Sequence, residues 1–290
     1  MKYPTILITG ASGQLGKSFN KLSIRYNCEF VFADRLLIDF SNLQSITEFF
    51  NKNTVDLIIN CAAYTAVDKA ELEQELAMKI NAEAVALLAS IAAQRGIFMI
   101  HFSTDYVFDG KGYVPYSIDH STYPINQYGR SKCAGELAML STDALDGVII
   151  RTSWVYSEFG NNFLKTMIRL GNERKEINVI NDQIGSPTYT DDLATFILAN
   201  IQHFTWQGVR IYHFSNEGAC SWYDFAHGIM ELSNIPCTVK PIPSSQYPTP
   251  AKRPNYSLLD KSKIKEDFNW SIPHWRDSLK VCLTFLTQKN

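Results

Sequence analysis

The chain has 290 residues, of which 46% are hydrophobic and 19% are charged, and its formal net charge is −2. This composition supplies a sizeable apolar core and argues against disorder, and the length suits two domains or one domain with a large elaboration. The sequence contains no basic run or stripe, so nucleic acid is not expected as a partner.

The apolar stretch near the N-terminus, MKYPTILITG, is too short to span a membrane and has no region typical of signal-peptide cleavage. We therefore predict a cytoplasmic protein without a membrane partner. The six cysteines are scattered and form no CxxC pair, which favours reduced, packed thiols over disulfides or a zinc site. The six histidines show no metal-binding spacing, so no metal is predicted.

Strand-like and helix-like segments alternate along the first half of the chain. Short apolar, β-branched runs predict buried strands at Thr5–Thr9, Glu29–Ala33, Asp56–Asn60, Phe98–Ser103 and Gly147–Arg151. Helical patterns lie between them, at about Gln14–Tyr26, Asn42–Asn51, Asp68–Arg95 and around Tyr128. This alternation predicts an α/β protein with a doubly wound parallel sheet of the Rossmann type, covered by helices on both faces.

The character of the chain changes after about Ser153, where aromatic residues, Pro and short loops become frequent. One further helix–strand unit interrupts this region, at Asp191–Ile201 and Val209–Phe214. We therefore predict a dinucleotide-binding domain of residues 1–152 plus about 177–216. A smaller, partly interleaved C-terminal substrate domain would contain residues 153–176 and 217–290.

A glycine-rich turn follows the first predicted strand. The segment ITGASGQLGKS stands between a strand and a helix, which is the context that a dinucleotide-binding turn needs. Gly10 would permit the tight turn, Gly13 the approach of a pyrophosphate, and Gly16 close packing of the helix. The backbone N–H groups of Gly13, Gln14 and Leu15 would then point at the phosphates.

Asp34 and Arg35 follow the second predicted strand. An acid at this place can accept hydrogen bonds from the adenosine ribose, which favours NADH. The adjacent guanidinium can pair with the 2′-phosphate of NADPH. The sequence therefore predicts a dinucleotide cofactor, NADH or NADPH, with a mild preference between the two.

Two other segments lie where the cofactor would pass. Ala62 and Ala63 follow the third predicted strand and are small, although a tight strand–helix loop explains them equally well. Asp39 and Phe40 in the segment IDFSN offer a further contact, although their spacing alone indicates a helix cap.

Tyr128 and Lys132 form the clearest candidate for catalysis. On a helix, residues four apart share one face, so the phenol and the ammonium would converge on one small volume. A neighbouring lysine stabilises a phenolate and so lowers the pKa of the phenol towards neutrality. A surface Tyr–Lys pair is the alternative for this pattern taken alone.

These features together resemble the extended short-chain dehydrogenase/reductase family and, within it, the dTDP-4-dehydrorhamnose reductases. The generic part is GxxGxxG after a first strand, Ser/Thr after a fourth, and YxxxK. The more specific segments extend over nearly the whole chain, as far as Asp260: CAAYTAVDKAE, HFSTDYVFDG, YPINQYGRSKCAGE, RTSWVY, GNNFLKTM, VINDQIGSPT and YPTPAKRPNYSLLD.

The resemblance implies roles for matching positions of this sequence. The catalytic triad would be Thr104, Tyr128 and Lys132. The last two also match cofactor positions, together with Gly10, Gly13, Gln14, Leu15, Gly16, Asp34, Asp39, Phe40, Ala63, Tyr64, Thr65 and Phe102. Substrate positions would be Thr104, Asp105, Tyr106 and Trp154, with a core tryptophan as the alternative for Trp154. Arg253 suits either the substrate phosphates or a structural ion pair.

One position departs from the family. Some members are described as joining as dimers through magnesium held by glutamates, one of them on the first helix. The matching residue here is Ser18, so we expect no such metal, and a homodimer stays possible.

The resemblance implies reduction of the C4 ketone of dTDP-4-dehydro-L-rhamnose to give dTDP-L-rhamnose, with hydride from the nicotinamide, and a reductase of a related nucleotide 4-keto-6-deoxysugar is an alternative. Thr104 would hydrogen-bond the ketone oxygen, Tyr128 would donate the proton, and Lys132 would tune the phenol and hold the nicotinamide ribose. An epimerase or dehydratase on the same fold is an alternative, although no Glu follows Thr104-Asp105. A non-catalytic, dinucleotide-binding regulatory subunit is another, and the complete triad argues against it.

Overall fold

The structure is a computed structural model that describes residues 5–287. Its strands are β1 Thr5–Thr9, β2 Glu29–Ala33, β3 Leu57–Asn60, β4 Phe98–Thr104, β5 Gly147–Thr152, β6 Val155–Tyr156, β7 Glu176–Ile180, β8 Ile184–Gly185, β9 Thr188–Tyr189, β10 Val209–His213, β11 Cys220–Ser221 and β12 Thr238–Ile242. Six of them form one sheet in the order β10-β5-β4-β3-β1-β2, and every pairing in it is parallel. The predicted parallel, Rossmann-type sheet is therefore confirmed.

The α-helices are α1 Gln14–Ser23, α2 Leu43–Lys52, α3 Val67–Ala70, α4 Gln74–Met78, α5 Ala84–Arg95, α6 Gln127–Leu140, α7 Phe163–Glu173, α8 Thr190–Asn200, α9 Trp222–Leu232, α10 Ser262–Phe268 and α11 Trp275–Thr287. A π-helical stretch, Lys79–Glu83, joins α4 to α5. Single 3₁₀ turns occur at Asp105–Val107, Ile201–His203 and Ser244–Gln246.

The main sheet separates two apolar cores, because successive side chains of a strand point to opposite faces. In β1, Ile6 and Ile8 pack on one side with Phe19 of α1 and Phe196 of α8. Leu7, between them in sequence, packs on the other side in the core that α2 and α5 cover. Strands buried on both faces must be apolar at every position, which explains the continuous runs in the sequence.

β2 and β3 pair with opposite edges of β1, so the order in which the strands are added reverses between β2 and β3. Open α/β sheets bind ligands at such a reversal, outside the carboxyl ends of the strands. Here the ends of β1 and β3 meet closely: a Cβ on Gly10 would lie 2.7 Å from the backbone N of Ala62. The glycine-rich turn therefore sits at the place in the sheet where a ligand is expected.

The helix predicted over Asp68–Arg95 is not continuous, and this part of the prediction is wrong. Two short helices and the π-helical stretch precede α5. The helix is interrupted between Ala70 and Gln74, and the π-helical stretch that follows contains Asn81, a buried polar residue whose amide must find partners. Its Oδ1 accepts from Tyr64 N at 2.8 Å, and its Nδ2 donates to Tyr64 O at 3.0 Å and to Ser131 Oγ at 2.9 Å.

By length and composition, Gln74–Arg95 is the one helical stretch among the described residues that could cross a membrane. In the structure it packs against α6 and α2. Val85, Leu88 and Ala92 are fully buried in the core beneath the sheet. Its apolar character is therefore that of a core helix in a globular fold.

A third core lies beside the sheet and is built from the chain after β5. It includes Leu164 of α7, Phe225 of α9 and Leu279 of α11. The strand β7 pairs with β12, so residues 176–180 lie with this core and not with the main sheet, whereas α8 and β10 pack in the main sheet unit. The division into two domains stays a prediction.

Gly135 sets how closely α6 approaches the π-helical stretch. A Cβ at this position would overlap the carbonyl oxygen of Asn81. The absence of a side chain therefore lets the helix carrying the YxxxK pair sit directly on the segment that holds Asn81.

We predict that Gly135→Ala lowers the free energy of unfolding by about 1–3 kcal/mol, the usual cost of overpacking. Helix propensity alone would raise it by about 1 kcal/mol, so the sign of the effect tests the close contact. Urea denaturation measures it, with Leu137→Ala as the control because Leu137 lies on the same helix and is 59% exposed. A Gly135→Ala protein as stable as the wild type would contradict the packing described.

Candidate active site

The structure brings Thr104, Tyr128 and Lys132 together at the carboxyl end of β4. Thr104 is the last residue of β4, and α6 begins beside it. Asn126 caps α6 by accepting from Gly129 N at 2.8 Å, and a Cβ on Gly129 would overlap the carbonyl oxygen of Tyr106. The start of the helix is therefore held against the turn that follows β4.

Thr104 has a fixed hydroxyl. Its Oγ1 donates to Asp105 Oδ1 at 3.0 Å and accepts from Tyr106 N at 3.2 Å. The Tyr128 hydroxyl also lies within hydrogen-bonding reach of it. Tyr106 packs edge-on against Tyr128, with ring centroids 5.8 Å apart. The phenol of Tyr128 is thus positioned by one hydroxyl and one aromatic ring.

The expectation that Lys132 brings the pKa of Tyr128 towards neutrality is wrong for these side chains in this arrangement. Burial raises the pKa of Tyr128 to about 12, the charge of Asp105 raises it further, and the hydrogen bond with Thr104 opposes the shift. Lys132 is turned elsewhere: its Nζ donates to Phe102 O at 2.7 Å and lies 3.3 Å from His101 Nε2. Tyr128 is therefore protonated at neutral pH.

Lys132 is 2% exposed, and burial lowers its pKa to about 8. Two groups oppose that shift, Glu136 one helical turn further on and the thiol of Cys61. Glu136 is itself buried and paired with Arg151, whose Nη2 lies 2.7 Å from Glu136 Oε2. The motif segments YGRSKCAGE and RTSWVY are therefore joined by one buried ion pair, one helical turn from the lysine.

Asp105 lies under Thr104 and is only 2% exposed. Burial raises the pKa of its carboxyl to about 6, against hydrogen bonds from Ser257 and Thr104 that lower it. Its contacts in this structure are with the protein, so a substrate contact for Asp105 stays a prediction.

The glycine-rich turn has the geometry of a phosphate cradle, with one correction. Gly10 adopts a left-handed conformation, with φ of 62°, and a Cβ on Gly16 would overlap the carbonyl oxygen of Gly10. The N–H of Gly13, expected to point at a phosphate, instead donates to Gly10 O at 2.9 Å and closes the turn. A Cβ on Gly13 would meet only Gly10 O, at 3.2 Å, so the space in front of the turn is open.

The N-terminus of α1 suits an anion. No side chain caps it, and its first turn contains no acid. Uncapped backbone N–H groups and the helix dipole both favour negative charge there. Residues Gly10–Gly16 therefore fit the pyrophosphate of a dinucleotide cofactor.

Gln14 has a second role that spacing did not reveal. Its side-chain oxygen accepts from Ser157 Oγ at 3.0 Å and from Asn162 Nδ2 at 2.7 Å. These bonds join the start of α1 to the segment that follows β6. No short-range signal marks such a pair, because its partners lie 143 and 148 residues away.

Asp34, Arg35 and Asp39 lie together in the turn after β2. Asp34 Oδ1 accepts from Leu36 N at 3.0 Å, and Arg35 is exposed, with Nε 3.4 Å from Asp39 Oδ1. Asp39 also accepts from Ser41, which lowers the pKa of its carboxyl. Phe40 is buried in the core under β1. Asp39 and Phe40 thus have structural contacts here, and their contact with a cofactor stays a prediction.

The segment Ala63–Thr65 passes over the carboxyl end of β3. Tyr64 is fixed by the two backbone bonds to Asn81 and by its hydroxyl, which donates to Glu73 Oε2 at 2.9 Å. Phe102 contributes its carbonyl oxygen to Lys132, while its ring packs 6.2 Å from that of Phe19. Sequence reasoning missed Asn81, whose signal is a lone polar residue inside an apolar helical pattern.

Trp154 has an unexpected partner. Its ring stacks on Trp222 with centroids 3.6 Å apart and an interplanar angle of 8°. Its backbone is left-handed, with φ of 48°, which is rare for a bulky residue. Trp154 is half-buried, so part of the side chain is accessible to solvent just after the carboxyl end of β5.

Arg253 forms the ion pair that the sequence offered as one of its two roles. Its Nη1 and Nη2 reach the Asp68 carboxylate at 3.0 and 2.8 Å, and Nη1 also donates to Ala251 O. Asn126 Nδ2 donates to Lys252 O at 2.8 Å, so this turn is held against the start of α6. A contact of Arg253 with substrate phosphates stays a prediction.

Ser18 bonds to Thr190, with 2.6 Å between the two buried hydroxyl oxygens, and so joins α1 to α8. Over residues 5–287, no group of three or more His, Cys, Asp or Glu side chains is arranged to hold a metal ion.

Comparison with known proteins gives a consistent result. A family described as the RmlD substrate binding domain matches residues 4–288. The dTDP-4-dehydrorhamnose reductase of Aggregatibacter actinomycetemcomitans is 40% identical in an alignment that covers 95% of this chain and 97% of that protein. The dTDP-4-keto-6-deoxy-D-glucose reductase of Streptomyces niveus is 36% identical over 97% of this chain and 96% of its own length.

The fold is matched equally closely. The crystal structure of dTDP-4-dehydrorhamnose reductase from Bacillus anthracis in complex with NADP superimposes with a TM-score of 0.92 at 38% sequence identity. The match covers 98% of this chain and 99% of the other.

Proposed function

The chain belongs to the RmlD substrate binding domain family, and on that premise we propose that it reduces the C4 ketone of dTDP-4-dehydro-L-rhamnose to give dTDP-L-rhamnose, with NADH or NADPH. This is a step of deoxysugar biosynthesis for surface polysaccharide, and we place it in the cytoplasm. The observation that carries the proposal is the convergence of Thr104, Tyr128 and Lys132 beside a phosphate-type turn in a chain that matches such reductases over nearly its full length.

The proposed proton donor is Tyr128. When bound, the nicotinamide supplies the hydride. The hydride leaves negative charge on the sugar oxygen, and Tyr128, which holds its proton at neutral pH, can deliver it there. Thr104 lies beside the phenol, and by turning its hydroxyl proton away from Asp105 it would donate a hydrogen bond to the same oxygen. Lys132, whose Nζ lies against the backbone of β4, would hold the nicotinamide ribose.

The proposed cofactor site extends from the turn after β1 to the turn after β2. Residues Gly10–Gly16 would hold the pyrophosphate at the open N-terminus of α1. Asp34 would accept from the adenosine ribose, and the exposed Arg35 would pair with a 2′-phosphate. The relative from Bacillus anthracis was crystallised with NADP, which supports room for both cofactors.

The proposed sugar-nucleotide site lies between the main sheet and the third core. Tyr106, Trp154 and Arg253 would line it, from the turn after β4, the loop after β5 and the C-terminal part of the chain. A reductase of a different nucleotide 4-keto-6-deoxysugar is the second candidate, because the Streptomyces niveus relative is named for such a sugar.

Turnover of a panel of nucleotide 4-keto-6-deoxysugars with NADH and NADPH tests the proposed reaction. We expect the highest kcat/KM with dTDP-4-dehydro-L-rhamnose, and a fall in kcat of about 10²–10⁴ for Tyr128→Phe, the usual worth of a positioned acid. Tyr123→Phe is the control, since this tyrosine precedes the same helix and is 72% exposed. A preferred substrate other than the rhamnose precursor would select the second candidate, and near-normal turnover by Tyr128→Phe would remove the assigned acid.

Substitution of the two residues after β2 tests the cofactor site. We predict that Asp34→Ala moves the ratio of kcat/KM for NADH and NADPH towards NADPH, and that Arg35→Ala moves it towards NADH. Each shift should be about tenfold, the worth of one charge-assisted hydrogen bond of about 1.5 kcal/mol. Arg25→Ala removes an exposed arginine elsewhere and controls for net charge. An unchanged ratio in both variants would place the adenosine ribose away from this turn.

Two matched truncations separate the roles of the stacked tryptophans. Trp154→Ala and Trp222→Ala break the same stack, so we expect both to lower the melting temperature. Only Trp154→Ala should also raise the substrate KM, by about tenfold for ~1.4 kcal/mol of lost contact. Equal KM values in the two variants would leave Trp154 with a packing role alone.

A further inference from the structure

Three buried side chains form a continuous line from the end of β3 to Lys132. Asn60 is 1% exposed and His101 is fully buried. Asn60 Nδ2 lies 3.0 Å from His101 Nδ1, and His101 Nε2 lies 3.3 Å from Lys132 Nζ. None of these contacts follows from the YxxxK pattern, since the three residues come from β3, β4 and α6.

The donor and acceptor roles along this line are fixed at the Asn60 end by a backbone N–H group. Ala62 N, which can only donate, lies 3.2 Å from Asn60 Oδ1, and Thr9 Oγ1 donates to the same oxygen at 2.7 Å. The Asn60 amide must therefore point its oxygen at these donors and its nitrogen at His101. Because Nδ2 donates, His101 Nδ1 is the acceptor.

His101 is neutral, because burial and the charge of Lys132 hold its pKa well below the usual range. A neutral imidazole has one proton, and with Nδ1 accepting, that proton is on Nε2. The Nε2–H group therefore faces Lys132 Nζ. An ammonium group has only donors and cannot accept from it, whereas a neutral amine has a lone pair that can.

We propose that His101 is a positioning residue that acts through Lys132: the directed line Ala62–Asn60–His101 presents an N–H to Lys132 Nζ and favours the amine over the ammonium form. The line thus adds to burial, the main cause that lowers the pKa of Lys132 to about 8. The other groups that face Lys132 act in the opposite sense. They are the carbonyl oxygen of Phe102 in β4, Glu136 on its own helix, paired with Arg151 of β5, and Cys61 after β3.

The role assigned to His101 rests on the proposed function only through the part that Lys132 plays in it. In the proposed function Lys132 holds the nicotinamide ribose, and its ammonium form, with three N–H donors and a charge, binds the ribose hydroxyls better than the amine does. Turnover should therefore fall as the pH rises through the pKa of Lys132. Because the N–H of His101 disfavours the ammonium form, turnover should fall at a pH closer to 7 than burial of Lys132 alone would give.

Nitrogen NMR on protein labelled with ¹⁵N-histidine tests the tautomer without any substrate. The His101 signals, identified by their loss in His101→Gln, should show a protonated Nε2 and a bare Nδ1 between pH 6 and 9, with and without NADPH. A proton on Nδ1, or a ring charged in this range, would overturn the directed line whether or not the proposed reaction is correct.

The pH dependence of kcat tests the effect on Lys132. His101→Gln places a free amide near the Nε2 position that can turn its oxygen to the ammonium, and His101→Asn keeps the partner of Asn60 but removes the opposed N–H. We expect both variants to move the alkaline fall in kcat upward, by about one pH unit for Gln and less for Asn. Loss of activity with an unmoved alkaline limb would reduce His101 to a packing role. If Gln disturbs folding, the Asn variant and the NMR tautomer decide the question.

Discussion

The constraint on which this site depends is that α6 carries charge into the interior of the fold. Lys132 and Glu136 are both about 2% exposed, and a buried charge is stable only with partners. Arg151 donates hydrogen bonds to Glu136 from two side-chain nitrogens, and the carbonyl oxygen of Phe102 accepts a hydrogen bond from Lys132. The neighbouring histidines, His101 and His213, are buried and held neutral, so neither adds a further positive charge. Each buried charge of the site thus has a partner, and these groups are arranged around one helix.

A second set of polar contacts joins the main sheet to the rest of the chain around the same site. Gln14 bonds to the segment after β6, and Asp68 pairs with Arg253. On the far side of α1, Lys21 pairs with Glu158 and Asp191. These contacts lie around the carboxyl edge of the sheet. The proposed cofactor and sugar sites are therefore bordered by residues that bond the main-sheet unit to the chain after β5.

Much of the fold was predictable because its signals are local. Short apolar runs located five of the six strands of the main sheet, a helix–strand pattern located the sixth, and spacing of four placed Tyr128 and Lys132 on one helical face. What escaped prediction depends on residues far apart in sequence. The stack of Trp154 on Trp222, the partners of Gln14 and the line from Asn60 through His101 each join separate elements. The pKa of Tyr128 escaped for the same reason, because the lysine beside it in sequence is drawn away by the backbone of β4.

The π-helical stretch before α5 requires a fixed number of residues between α4 and α5. It holds one residue more per turn than a regular helix would, and that surplus lets Asn81 face Tyr64 and Ser131 while α5 keeps its apolar face on the sheet. Deleting a single residue here would turn everything on one side of the deletion by about 100° relative to the other. Either Asn81 would leave its partners or α5 would present polar groups to the core. Among sequences that share this architecture, insertions and deletions should therefore be tolerated in the loops on either side but not within Lys79–Glu83.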